Sequence, residues 1–412
     1  MKSLAHKGDV LNERLRRNLL ILETIRRSGP VSKADISRIS GVNVVTISNY
    51  IESYIHNNLV CVKSLDISAG GRRPALLAIN PQGTLAIGIG LNLIDMIGVV
   101  IDLNGQIVAR VVKNRPNIDA KDIEDSAFTL ISELFGQLSN VDKEKVRGIG
   151  IGMAGIVDHQ GGTIRWPRKL DSGQCQYVSL DIPLKDMIEK KFKIPCILEN
   201  DATVACLGEQ WLNPDPDIEN LVYMFSGVGC GLMFNGEVYR GTSGGAGEIS
   251  LEANPGKNGA DPFWNDALFF QPWEDDLGIV REIRESIKDT DPAKSMVLEL
   301  AKGKIENIHL RLVFQAAKAG DTLALEKIRN AGRKLGAKVA VLVNLLNPQI
   351  VIIGGGMEEG GSILLDVVKA TVSELAFNEM ANAVKIVPSR LGNNAVAIGA
   401  ASLIVRQVFA QG

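Results

Sequence analysis

Ser32-Lys33-Ala34-Asp35-Ile36-Ser37-Arg38-Ile39-Ser40, then Gly41-Val42-Asn43, then Val44-Val45-Thr46-Ile47-Ser48-Asn49-Tyr50-Ile51 reads as a short helix, a glycine turn and a second helix. Ser32 can cap the first with Asp35 three residues on, and Ala34, Ile36 and Ile39 form an apolar face that Gly41 terminates. Asn43 caps the next helix. There Ile47, Ile51 and Ile55 recur every fourth residue, turning one stripe inward and leaving Val44, Thr46, Ser48 and Asn49 on the other faces. Upstream, Leu15, Leu19, Leu20, Leu22 and Ile25 give helical periodicity to Leu11–Arg27, which Ser28-Gly29-Pro30 ends. Two helices joined by a short glycine-bearing turn are the helix-turn-helix layout, whose second helix enters the major groove of DNA.

Downstream, Leu59–Lys63 and Ala75–Ile79 flank Ser68-Ala69-Gly70-Gly71-Arg72-Arg73-Pro74, a β-hairpin with a basic, glycine-rich tip. That is a wing, and Arg72 and Arg73 suit phosphates or a minor groove. Residues 1–80 carry twelve Lys/Arg against six Asp/Glu, while the remaining residues carry 33 against 41, so the overall charge of −2 conceals a basic N-terminal part. A helical protein-interaction module is the other reading of this part, and the sign of its charge argues against it. The second helix has no Lys or Arg between Asn43 and Ser53. Phosphate attraction is therefore assigned to Lys33, Arg38, Arg72 and Arg73, and base reading to Asn43, Thr46, Ser48 and Asn49.

The chain of 412 residues has room for two to four domains. Apolar content of 45%, charged content of 22% and a mean hydropathy of +0.09 exclude disordered and fibrous classes. No apolar run reaches the roughly eighteen residues of a membrane span, and Met1–Val10 lacks a leader's apolar core, so the expectation is a cytoplasmic protein without a membrane partner. Cys61, Cys175, Cys196, Cys206 and Cys230 are odd in number and widely spaced, which writes neither a disulfide framework nor a cysteine zinc site.

From Thr84 the texture becomes short β-branched strands with Asn-Gly turns: Thr84–Leu91, Met96–Asp102, Asn104-Gly105, Ile107–Val112. Leu221–Phe225, Cys230–Phe234, Asn235-Gly236 and Val238–Arg240 repeat the pattern, each set preceding helices, which implies two related α/β lobes. Glycine loops are expected between strands and helices at Gly148–Gly155, Ser226–Gly231 and Gly354-Gly355-Gly356. Such loops admit phosphates to backbone N–H groups, but glycine also serves tight turns, so each alone is a weak signal.

Several stretches together resemble the ROK family of bacterial sugar-responsive repressors and sugar kinases, and its repressor branch in particular. They are Gly70–Pro74 after a helix-turn-helix, Gly148–Asp158, Leu198-Glu199-Asn200-Asp201-Ala202, Ser226–Gly236, Gly244–Glu248, Asn344–Pro348 with Gly354–Gly356, and Ala395–Ala401. The resemblance covers nearly the whole chain. It implies a winged helix-turn-helix (1–80) followed by a two-lobed, actin/hexokinase-like domain (81–412) with a sugar in the cleft. Asn200, Asp201 and Glu248 match the sugar-binding positions, and Asp201 matches the general base of the kinases. Carboxylates that accept from hydroxyls beside an amide that both donates and accepts suit a polyol. From the residues alone, Asp201 could instead cap a helix starting at Ala202. Ser226, Gly227, Gly229, Gly354 and Gly355 are expected as remnants of nucleotide loops.

The departures from the family pattern point away from catalysis. The kinases open with an Asp-x-Gly-Gly-Thr phosphate loop where this chain has Gly90-Leu91-Asn92-Leu93-Ile94. Phosphoryl transfer thereby loses its electrostatics. After Glu248 the family continues Ile-Gly-His and a cysteine-rich zinc loop, whereas here Ile249-Ser250-Leu251 follows with no Cys or His through Trp273. No metal and no cofactor are expected. Arg168 and Lys169, beside Pro167, would suit an anionic sugar or lie on a solvated loop. The expectation is a homodimeric DNA-binding repressor of carbohydrate-utilisation genes, with operator DNA and a small sugar effector as partners. Its rivals are an active kinase with a DNA-binding arm and a regulator answering to a phosphotransferase-system protein.

Overall fold

A computed structural model describes residues 13–65, 75–91, 95–114, 120–159, 161–169, 175–213, 215, 217–226, 229–249, 277–288 and 295–412. At the N-terminus stand three helices, α1 (Glu13–Ser28), α2 (Lys33–Ser40) and α3 (Val44–His56), and a hairpin of β1 (Val60–Leu65) and β2 (Ala75–Ile79). Ser32 Oγ accepts from Asp35 N, Gly41 closes α2 in the left-handed region (φ 70°), and Asn43 Oδ1 accepts from Val45 N, as the local sequence dictates. Val31 pairs with Leu77, tying the end of α1 to the hairpin. This arrangement is consistent with a winged helix-turn-helix; the tip, with Arg72 and Arg73, lies outside the described residues.

Several inward positions differ from the expectation. In α1 the buried apolar residues are Ile21, Leu22 and Ile25, and Leu20 is exposed. In α2 only Ile36 is buried, with Ala34 and Ile39 exposed. In α3, Ile47 and Ile51 face in, but Tyr54 takes the place given to Ile55 because its hydroxyl finds Asn18 Oδ1 at 2.8 Å. A short helix shows too few turns to separate a stripe from its neighbours.

The body follows as β3 (Leu85–Leu91), β4 (Asp95–Asp102), β5 (Ile107–Asn114), α4 (Ala120–Gln137), α5 (Asn140–Lys143), β6 (Val146–Met153), β7 (Ile156–Asp158), β8 (Thr163–Lys169), β9 (Cys175–Ile182), α6 (Leu184–Phe192), β10 (Cys196–Asn200) and α7 (Asp201–Trp211). The second half holds β11 (Leu221–Phe225), β12 (Gly229–Phe234), β13 (Glu237–Val238), α8 (Ile279–Lys288), α9 (Met296–Leu300), α10 (Leu310–Lys318), α11 (Thr322–Leu346), β14 (Ile350–Gly354), α12 (Gly361–Leu375), α13 (Asn378–Ala383), β15 (Lys385–Pro388) and α14 (Ala395–Gln411).

Two five-stranded sheets, β10-β6-β3-β4-β5 and β15-β14-β11-β12-β13, have the same connectivity. In each, an antiparallel three-stranded meander is extended by two parallel strands. The repeat seen in the sequence is a repeat of topology. Helices α7 and α14 share one core with the second sheet, Val204 and Val396 of the helices packing with Tyr223 of β11.

The glycines of Gly148–Gly155 do not form the expected loop: Gly148, Gly150 and Gly152 are inside β6. A Cβ on Gly150 would sit 1.9 Å from the carbonyl oxygen of Ala400, and one on Gly88 in β3 1.9 Å from that of Ala397. These glycines let α14 lie directly on the sheet backbone. The same helix holds the N-terminal part, through Phe409 and Val405 packed with Ile21, Leu22 and Ile25, and through Asn18 Nδ2 donating to Ala410 O at 2.9 Å. No helix among the described residues is long and apolar enough to cross a membrane.

Candidate functional site

At the outer face of α3, Val45 (67% exposed), Val44 and Asn49 project, whereas Thr46 and Ser48 are half-buried. Asn43 already spends its carbonyl oxygen on the helix cap. Of the expected base readers Asn43 and Asn49 are exposed, and Val45 lies one turn before Asn49 on the same stripe. Val45 carries a signal of its own in the sequence, an apolar residue outside the inward stripe. Lys33 is half-buried in the first turn of α2, and exposed Arg38 pairs with Asp35 at 2.8 Å, holding that carboxyl below the usual carboxylate range together with the hydrogen bond from Ser32.

In the body, β10 hands over to α7 at Asn200-Asp201. The cap is Asn200 and not Asp201: Asn200 Oδ1 accepts from Thr203 N at 3.1 Å, while its Nδ2 donates to Gly155 O at 3.2 Å. Asp201, 5% exposed, is the first helical residue, where the N–H groups of the first turn favour its charge, and its Oδ1 accepts from Ala202 N at 2.7 Å. β12 packs on this turn so closely that a Cβ on Gly231 would lie 2.1 Å from Ala202 O. Glu248 bridges to Gly229 at the start of β12, and Cys230 N donates to Gly247 O at 2.8 Å. The backbone of Glu248 is thus set beside the strand that covers Asn200 and Asp201. Glu248 is exposed at its place on the loop, and partial burial of its carboxyl raises its pKa.

Two further residues organise this locus. Glu199 accepts from Asn200 N through Oε1 and pairs through Oε2 with Arg240 Nε at 2.7 Å; His159 Nε2 lies 3.7 Å from Oε1. Arg240 opens the loop that ends at Glu248. The pair therefore ties the loop to the strand end, and its signal in the sequence is the one cation in Arg240–Glu248. Arg168 and Lys169 lie on β8, with side chains outside the described set.

The nucleotide-loop remnants are partly united. Ser226 donates its hydroxyl to Gly355 O, Ser226 N donates to Gly354 O at 3.2 Å, and Gly355 N donates to the Tyr223 hydroxyl at 3.3 Å. The Ser226–Gly231 segment turns between two strands, with Gly229 opening β12; Gly227 is outside the described residues. The adjoining cavity, of about 20 Å³, has room for a water molecule. Asp95, Arg311, Glu359 and Asn393 line it; Arg311 chelates Glu359 at 3.1–3.4 Å and stands 3.9 Å from Asp95 on the other lobe. Two carboxylates with one guanidinium leave this cavity poorly suited to a polyphosphate.

The ROK family model matches residues 84–251 and 289–407. The chain belongs to the ROK family. This ROK protein is 30% identical over 400 residues to a putative xylose repressor of Caldicellulosiruptor sp. (strain Rt8B.4), covering 95% of this chain and 96% of that one. It is 24% identical over 398 residues to the DNA-binding transcriptional dual regulator NagC of Escherichia coli K12, covering 94% and 92%. Among solved structures, a ROK family transcriptional regulator homologous to the E. coli MLC protein aligns with a TM-score of 0.71 at 22% identity over 96% of both chains. A ROK family glucokinase from Streptomyces griseus, in complex with glucose and AMPPNP, aligns with a TM-score of 0.64 at 24% identity over 77% of this chain and 98% of its own. The two-lobed fold read from the sequence is therefore that of the family.

Proposed function

We propose that this ROK protein is a DNA-binding transcriptional regulator, a repressor of carbohydrate-utilisation genes, in which residues 1–80 hold operator DNA and residues 81–412 hold a sugar effector. The observation that carries the reading is the three-helix and hairpin unit joined to a ROK body in a chain of which 95% is matched by a named repressor, whereas the kinase accounts for only 77% of it. The sugar is bound by Asn200, Asp201 and Glu248 and is not phosphorylated, because carboxylates line the cavity beside the closed Ser226–Gly355 contact. The protein acts as a homodimer, since one helix-turn-helix makes too few phosphate contacts to hold a site at cellular salt. Sugar binding depletes the operator-competent state by its differential affinity for the two states. No structural zinc is needed; the Ser250–Trp273 stretch that departs from the family's zinc loop lies outside the described residues.

The test is a thermal-shift screen of the full chain against D-xylose, N-acetylglucosamine and their phosphates, since a ligand selective for the folded state raises its midpoint. Asp201→Ala should abolish the shift and the effector response while sparing operator binding. Multiple turnovers of the binding sugar with ATP and magnesium would put the kinase reading first, and stoichiometric zinc in untagged protein would overturn the metal-free reading.

A further inference from the structure

Helix α7 touches the proposed sugar site at one end and the proposed DNA-binding unit at the other. Its N-terminal end is Asn200-Asp201. Its C-terminal residue, Trp211, is 1% exposed and is gripped by α1. The indole Nε1 donates to Glu23 Oε1 at 2.7 Å, Trp211 O accepts from Arg26 at 2.7 Å, and the Arg26 guanidinium lies 4.5 Å from the centre of the indole ring. Arg26 and Glu23 are themselves paired at 2.8 Å, so all three groups are mutually satisfied. A cation over an indole face and a charge-assisted indole hydrogen bond are directional contacts, unlike apolar packing.

The helix between the two ends is suited to move as one piece. Every residue of α7 but Gln210 is buried. Its eleven residues span about 16 Å. It crosses α14 with no side chain between the backbones: a Cβ on Gly399 would sit 1.8 Å from Val204 O, and one on Gly208 2.9 Å from Gly399 Cα. Such a contact slides or holds but does not compress.

We infer that Trp211, Glu23 and Arg26 form the joint through which the state of the sugar site reaches the DNA-binding helices, with α7 as the rigid connector. A shift of the Asn200-Asp201 end then reorients α1, to which α2, α3 and the wing are packed. The inference rests on the sugar-sensing reading for what occupies the far end, but its test needs no ligand.

That test is a double-mutant cycle read by amide hydrogen exchange in the full chain. Asn200→Ala removes the cap at the sugar end and should speed exchange of the amides of α1 about fivefold, the order expected from losing a cap. In a Trp211→Phe background, which keeps the ring and loses the bond to Glu23, the same change should leave α1 within twofold of that background. Glu23→Gln provides an independent second background should Trp211→Phe fold poorly. Exchange in α4 serves as the control and should be equal throughout. Equal transmission to α1 in all three backgrounds, or no response of α1 to Asn200→Ala in the parent chain, overturns the inference. Failure of every sugar to bind would instead overturn the sensing reading, while the coupling between Asn200 and α1 measured by the cycle would be unaffected.

Discussion

Arg240 sets its Nε 2.7 Å from Oε2 of Glu199, a carboxylate that is 3% exposed and whose other oxygen accepts from the backbone N–H of Asn200. The two residues are 41 apart in the chain, and the bond between them is what holds the Glu248 loop against the start of α7. Arg240→Ala should leave the buried Glu199 Oε2 without its cation, with only the Asn200 N–H and, at 3.7 Å, His159 beside the other oxygen. Because Arg240 itself is about a third exposed, the loss should be about 2 kcal/mol, below the range for a fully buried pair. Urea unfolding measures it, and affinity for the sugar found by thermal shift should fall with it; unchanged values for both would show the pair to be incidental.

Arg72 and Arg73 are expected to contribute through phosphates. Replacing both with Ala should weaken binding to every DNA sequence and lower the slope of log K against log salt by about one or two. Titrations at two salt concentrations check this, and a loss confined to the operator would mean base reading instead.

Val45 and Asn49 lie one turn apart on the open face of α3 and should read neighbouring base pairs. An exposed valine suits the methyl group of thymine, and an asparagine suits the N6 and N7 edge of adenine. Asn49→Ala and Val45→Ala should each relax preference at one operator position, at a cost of about 1–3 kcal/mol for Asn49 and less for Val45. Selection from random DNA should return an A·T pair at both positions for the parent chain. A uniform loss over all sequences would assign them to the backbone.

Glu358 is half-buried, with Oε1 shut off from solvent and without a hydrogen-bond partner while Oε2 accepts from Gly356 N, and burial pushes its pKa up to about 7. Between pH 4.5 and 7 the folded chain keeps a proton that the unfolded chain has released, so stability should fall as pH rises through that window and level off above it. The full loss is about 3 kcal/mol. Glu209, also raised chiefly by burial, acts in the same direction. Glu358→Gln should remove the larger part of the slope, which urea midpoints at about pH 5 and pH 7.5 would show; a parent chain more stable at the higher pH contradicts the assignment.

Much of the fold is legible in the sequence because its signals are local. Asn235-Gly236 has both residues at positive φ (53° and 75°), as a tight hairpin needs, and the two strand sets it helps to match share one topology. The glycines of β6 read as a loop because a glycine that admits a ligand and one that admits a helix look alike in sequence. Their alternation at 148, 150 and 152 is the period of a strand and is the feature that tells them apart. At the proposed site, the motif singles out Asn200, Asp201 and Glu248, but does not tell that Asn200, one residue earlier than expected, caps the helix. The Glu199–Arg240 pair and the Trp211 joint are out of reach, because each joins segments whose proximity depends on the finished tertiary structure.

The glycine-lined seat of α14 also orders events in time. The apolar side of α1 closes on Val405 and Phe409, which are synthesised more than 300 residues after Ile79. At about 5–20 residues per second, a ribosome needs roughly 15–60 s to bridge that gap. Until then Ile21, Leu22 and Ile25 lack part of their final cover, so the three-helix and hairpin unit is made well before the helix that seats it. A chain ending before Ala395 should bind a hydrophobic dye at this face and be open to proteolysis within α1, as a nascent polypeptide would be during that interval.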